Sequence, residues 1–304
     1  MKILYIATNQ RTDIFPFLVD YQNDCLLYGL KELFGDDVVD CNKRYNLYTD
    51  YSDEDVATEY GKGFTVTRLL ETDNCDREDI HKKIVNKYFD YVVYGNIWRC
   101  QDHIDLVLQH YPKNKIIYVD GQDTVNYHER LKDGVPYFKR ELNPDPKQNL
   151  GDLLKFVLPI GFAFPTKKFS KGAPKERRIA LSDPRNKETY VFKDEASYYQ
   201  DYQYSKYAFT TQKAGWDCLR HYEIMGNSCI PLFPDIAHCP RFIMMKFPKA
   251  LVTRAMFFEK TDSKWLDKNY DYLLSEMQDH FLKYNTTLRL GEQFMKELNG
   301  IKAS

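Results

Sequence analysis

The feature that most constrains this chain is a recurring unit: a short apolar, β-branched run followed by a longer stretch with apolar residues at helical spacing. Residues 2–8 (KILYIAT) form the first run. Residues 17–35 then place Leu18, Cys25, Leu26, Leu30 and Leu33 at helical spacing before a glycine stop at Gly35. The run returns at 37–41 (DVVDC), 91–96 (YVVYGN) and 115–121 (KIIYVDG), with helical stretches at 76–86 and 102–110. Apolar strands joined by helices predict a parallel sheet covered on both faces, because parallel neighbours need crossover connections.

The pattern breaks at 141–149 (ELNPDPKQN), where two prolines interrupt it. It then resumes, with strands expected at 157–164, 178–183, 207–211, 229–234 and 247–252. Helices are expected at 194–205 and 216–227, and two more follow with a break near Asn285. The reading is an α/β protein of two Rossmann-like doubly wound domains facing a cleft. The first spans 1–142 and the second 143–285. A last helix, 286–304, crosses back to the first domain on a stripe of Leu288, Phe294, Met295 and Leu298. Residues 45–63, rich in Tyr, Asp and Gly, read either as an insertion near a site or as a surface loop.

Charge divides at the same boundary. Residues 1–150 carry 19 basic and 26 acidic side chains, a net of −7, and residues 151–304 carry 24 and 18, a net of +6. The basic half suits an anion such as a phosphate, and the acidic half disfavours a nucleic-acid partner. With 43% hydrophobic and 29% charged residues the composition is that of a soluble globular protein. No apolar run reaches the roughly 18 residues of a membrane span, and the N-terminus lacks a signal-type apolar core. A cytoplasmic location is expected, the host cytoplasm if the chain is viral. Seven cysteines without a CxxC or a zinc spacing predict reduced thiols and no metal site.

The richest segment for chemistry is 207–235. There a strand runs through a polar turn at Gln212–Gly215 into a helix carrying Arg220, His221 and Glu223, and returns at once to an apolar strand. A helix N-terminus offers unpaired backbone N–H groups to an anion, and Lys213 and Arg220 add charge. Glu223, one turn after Arg220, can accept from two ribose hydroxyls; the same spacing also describes an ordinary surface ion pair. Trp216, Asp217 and Asn227 lie on or beside this helix and join the candidate donor-binding set. A second cationic turn carries Arg185 and Lys187 after the strand at 178–183, and would neutralise a diphosphate leaving group. In the first half, Asp20, Asp120 and Asp123 are candidate bases near strand ends. Asp24, Lys139, Arg140 and Glu141 are candidate acceptor or cleft residues.

The stretch HYEIMGNSCIPLF (221–233) resembles the donor-site segment of GT-B glycosyltransferases, with its pattern E-A-x-A-x-G-x-P-V. It is similar in particular to exostosin-like and uncharacterised glycosyltransferase-like sequences with a W-D-x-x-R-H-Y-E-I stretch, here Trp216 to Ile224. The resemblance implies that Glu223 binds the ribose of a nucleoside diphosphate sugar, UDP-type favoured, with no further cofactor. Retaining members carry a glutamate eight positions earlier, where this chain has Gly215. That departure favours inversion by a base in the first domain. The implied enzyme is a metal-independent hexosyl- or pentosyltransferase acting on a hydroxyl of a glycan or small molecule. Alternatives are a viral or phage-type transferase acting on a hydroxymethylated DNA base, a non-catalytic nucleotide-sugar or glycan-binding protein, and a nucleotide-sugar epimerase.

Overall fold

A computed structural model describes residues 1–71, 74–144, 150–170 and 192–301. The chain is mixed α/β, with one six-stranded parallel sheet among the described residues. Its strands are β1 (Ile3–Ile6), β2 (Val38–Asp40), β3 (Tyr91–Tyr94), β4 (Ile116–Asp120), β5 (Tyr137–Lys139) and β6 (Val157–Pro159), in the order β2-β1-β3-β4-β5-β6. The strand read as opening the second pattern at 157 therefore adds to the first sheet, pairing Val157 with Tyr137 and Pro159 with Lys139. Proline is tolerated there because β6 is the sheet's edge.

Strand period dictates how the sheet is covered. Ile3 and Tyr5 face α1 (Tyr21–Phe34), while Leu4 and Ile6 join the core beneath α3 (Ile80–Val85) and α4 (Ile104–His110). The first face receives a second helix from the far end of the chain, α10 (Thr287–Ile301). Leu290, Phe294, Met295 and Leu298 of α10 are buried there, whereas Leu288 is half-buried. The two helices cross at Gly29 and Gly291. A Cβ on Gly29 would lie 2.1 Å from the Thr287 carbonyl oxygen, and one on Gly291 would lie 2.8 Å from the Gly29 carbonyl oxygen. Backbones this close require glycine on both helices.

The remaining elements surround a smaller parallel pair, β7 (Tyr207–Phe209) and β8 (Ile230–Leu232). Packed around it are α5 (Glu195–Gln203), α6 (Leu219–Gly226), α7 (Lys249–Thr261), α8 (Ser263–Lys268) and α9 (Tyr270–Tyr284). The strand expected at 178–183 lies outside the described residues. The strand expected at 247–252 is instead the start of α7. Buried Leu251, Val252, Ala255 and Met256 recur at helical spacing, and Pro248 precedes the first turn, where a missing N–H costs nothing. The C-terminal stretch breaks at Asn269 as well as at Asn285.

The chain leaves the first sheet through 160–164 and comes back through 285–287, and these crossings run side by side. The Phe164 N–H donates to the Asn285 carbonyl (3.0 Å), and the Thr287 N–H donates to the Phe164 carbonyl (2.9 Å). No helix among the described residues is long and apolar enough to cross a membrane.

Candidate functional site

Between the ends of the first sheet and α6 lies a cavity of about 830 Å³. One wall is the segment Glu59–Phe64 with Tyr21 and Asp123. The other is the turn Lys213–Gly215 and the residues that lead into α6, from Asp217 to Arg220, with Glu223 a turn deeper. Aromatic rings of Phe64, Phe162, Phe192 and Tyr198 close the space. Phe64 and Tyr198 stack with their centroids 5.7 Å apart.

The α6 wall is anchored from the first sheet. Glu141, just after β5, accepts from the backbone N–H groups of Trp216 (3.1 Å) and Asp217 (2.9 Å). Gly215 permits this approach, since a Cβ there would lie 2.6 Å from Glu141 Oε1. Arg140 donates to the Asp217 carbonyl, to Gly121 O (2.9 and 3.0 Å) and to Asp123, and its guanidinium lies over the Phe162 ring. Arg140 and Glu141, expected as cleft residues, thus build the floor rather than line the space. Burial pushes the Glu141 carboxyl above its usual range against the pull of Arg140.

On α6 itself, Cys218 occupies the cap position with no side chain accepting from the first turn, so that end keeps its partial positive charge toward the cavity. Lys213 and Arg220 both line the space. Although Lys213 is an exposed residue, partial desolvation of its ammonium end, reinforced by the neighbouring Arg220, lowers it below its usual range. Glu223 accepts from Thr65 Oγ1 (2.5 Å) and Tyr198 OH (2.6 Å), and burial raises its carboxyl. Two protein donors leave lone pairs on this carboxylate for a ligand. Asp217 is 2% exposed: its Oδ2 accepts from the Phe162 N–H (2.9 Å), and Tyr222 OH donates to the same carboxylate. Burial pushes Asp217 up to about 6.

Several other sequence candidates belong to the scaffold. Asp24 is fully buried, where it binds Arg44 Nε (2.8 Å) and Asn46 Nδ2 (2.8 Å), and so cannot face the cleft. Asp20 caps α1 and accepts from Asn96 (2.7 Å) and Arg99 (3.1 Å). Burial opposes its ionisation, but Arg99 and Arg44 hold it below the usual carboxylate range. Asp120 and Lys139 form a fully buried ion pair (3.0 Å), with Tyr137 OH donating to the same carboxylate (2.5 Å). His221 bridges Thr210 Oγ1 (2.7 Å) and the Trp216 carbonyl (3.0 Å), and burial pushes it down to about 3, so it is a neutral structural residue. Asn227 caps the end of α6 by donating to the Glu223 carbonyl (2.9 Å), and the Trp216 ring packs at a tilt against Phe233. Of the three first-half carboxylates expected as bases, Asp123 alone lines the cavity, and Arg140 pairs with it. Arg185 and Lys187 lie outside the described residues.

The segment from Glu59 to Thr65 is not singled out residue by residue from sequence. Gly61, Lys62 and Gly63 all have positive φ, and so does the buried, β-branched Thr65 at +79°, a conformation that costs on the order of 1–3 kcal/mol. Glu59 holds the base of the segment by accepting from Arg11 (2.6 Å), Tyr51 OH (2.5 Å) and the N–H groups of Leu18 (2.9 Å) and Val19 (3.2 Å). The G-K-G spelling at 61–63 is the one signal for it, since glycine marks left-handed turns.

Among the described residues no group of three or more His, Cys, Asp or Glu side chains is placed to hold a metal. No family model, curated protein or solved structure matches this chain.

Proposed function

We propose that the cavity binds a nucleoside diphosphate sugar, UDP-type favoured, and that the protein transfers the sugar to a hydroxyl of a glycan or small molecule. In this reading the two units take the GT-B arrangement and the reaction inverts the anomeric centre. The observation that carries it is the convergence on one cavity of Lys213, Arg220, the uncapped start of α6 and Glu223. Two cations and a helix N-terminus suit a diphosphate. A carboxylate one turn deeper suits a ribose diol, and the rings of Phe64, Phe192 and Tyr198 suit a base. A volume of about 830 Å³ lies inside the roughly 300–1,000 Å³ range of small-molecule sites.

Calorimetric titration with UDP, GDP and ADP tests the donor assignment. Glu223→Ala is expected to weaken nucleotide binding by about 1.5–3 kcal/mol, the range for a hydrogen bond to a charged group. Unchanged affinity for all three nucleotides in a folded variant would refute the ribose role. Release of UDP from a UDP-sugar separates the transferase from a binding protein that keeps the pocket without turnover.

A further inference from the structure

The stretch 241–260 holds five basic side chains, Arg241, Lys246, Lys249, Arg254 and Lys260, against one acidic, Glu259. Apolar side chains stand out among them. Phe242, Met245 and Phe257 are 41–58% exposed, and Tyr272 of α9 is 62% exposed. These residues share one face. Ala250, Arg254 and Phe257 recur at helical spacing on the outward side of α7. The Arg254 guanidinium pairs with Glu276 and lies 5.9 Å from the Tyr272 ring, which joins α7 to α9. At the other end of the face an open recess of about 330 Å³ separates the loop before α7 from α9; Arg241, Met245, Lys249, Glu276 and His280 line it. It shares no residue with the cavity at α6. The loop is held in place. Lys249 Nζ donates to the Pro240 (2.9 Å) and Ile243 (2.6 Å) carbonyls, and His280 Nε2 (2.8 Å) and Asn285 Nδ2 (3.0 Å) both reach the Lys246 carbonyl. Ile243 and Met244 are buried, Met244 in left-handed backbone (φ +52°), while Phe242 and Met245 are turned to solvent. Apolar side chains fixed in water in this way are a mark of an interaction surface.

We propose that this face seats the protein on an anionic membrane surface. Phe242, Met245 and Phe257 enter the boundary between headgroups and acyl chains, Arg241, Lys246 and Arg254 meet lipid phosphates, and the recess takes one headgroup. The interleaving of rings and cations selects this partner. A bilayer offers a plane of phosphates over an apolar layer and so satisfies both kinds of side chain at once. Tyr272, with an apolar ring and a polar tip, suits the headgroup level. A nucleic acid would match the cations and leave three apolar side chains against its phosphates. A protein partner would bring an anchoring side chain, for which the open recess offers no closed pocket. Exposed Asp271 and Asp279 stand on the next stripe of α9 and do not line the recess, which confines the contact to the loop and α7. Seating of this kind needs no spanning helix, and it is independent of the donor reading above.

Co-sedimentation of the full chain with vesicles tests the proposal, using phosphatidylcholine alone and phosphatidylcholine with about 30% phosphatidylserine. The wild type is expected to sediment with the phosphatidylserine vesicles, to remain in solution with phosphatidylcholine alone, and to be released as ionic strength rises. Arg241→Glu, and separately Phe242→Ser combined with Met245→Ser, should each lower the partition coefficient about tenfold or more. These side chains are exposed, so the melting temperature of each variant should stay within about 2 °C of wild type. Phe257→Ser, on the regular helix α7, gives the same reading should a loop variant melt early. No sedimentation with phosphatidylserine vesicles, equal sedimentation with phosphatidylcholine alone, or partition unchanged in the folded variants overturns the proposal. Retention of duplex DNA without vesicle binding reassigns the face to nucleic acid. Phosphoserine in solution bound as tightly as the vesicles replaces the bilayer by a free anion, and either result equally overturns it.

Discussion

Two regions of this molecule place acidic and basic side chains near the carboxyl ends of strands, and they use them in opposite ways. At the first sheet, Asp24 with Arg44 and Asp120 with Lys139 form two buried ion pairs. Around α6, Lys213, Arg220, Glu223 and Asp217 line a cavity. Charge at the end of a parallel strand is therefore no mark of a binding site in itself. What distinguishes the region around α6 is that its charged groups line a cavity instead of closing on partners inside the core.

The largest effect is expected where the charges are paired inside the core. Arg44→Ala would strand Asp24 without its ion pair in a fully buried setting, and should cost about 3–5 kcal/mol of unfolding free energy in urea denaturation. A loss below about 1 kcal/mol would show that the first-sheet network contributes little and would remove the contrast. A smaller effect is expected at His221, on the inner side of α6. Its imidazole is held at about 3 in the folded state against an ordinary 6.5, so the unfolded chain takes up the proton first as pH falls. Stability is fully present above about 6.5 and declines toward about 3. From pH 7 to pH 5 the loss should be about 2 kcal/mol. His221→Gln should flatten that slope, measured by denaturation at the two pH values. The smallest effect on the fold belongs to Lys213, which is exposed at the cavity mouth. Lys213→Ala should leave stability within about 0.5 kcal/mol while weakening UDP binding in the same titration; a marked loss of stability would move Lys213 to the structural side of the comparison.

Local periodicity made the sheet legible. The apolar runs at 3–6, 91–94 and 116–120 are strands, and a helix at the chain's far end carries an apolar stripe. Leu290 stands in that stripe where spacing alone suggests Leu288, a shift of half a turn that a short window does not resolve. Lys213, Asp217, Arg220 and Glu223 were legible as neighbours because one strand-turn-helix segment carries them. The pairing of Asp24 with Arg44 and of Asp120 with Lys139 was not. Each joins residues about 20 positions apart through tertiary packing, and nothing in the spacing distinguishes a buried pair from two solvated charges. The Thr65 contact to Glu223 spans 158 positions and depends on a left-handed backbone at a β-branched residue, a state that local preference argues against.

The glycine crossing of α1 and α10 also sets an order in time. Glu32 on α1 accepts from Thr287, 255 positions later in the chain. At roughly 5–20 residues per second of synthesis, the first helix waits on the order of 10–50 s for the backbone it is shaped to touch. Throughout that interval the glycine face of α1, and the part of the sheet that Phe294 will cover, stay open to solvent or to chaperones. A nascent chain halted before residue 287 would hold all six strands and still be unfinished at its first helix.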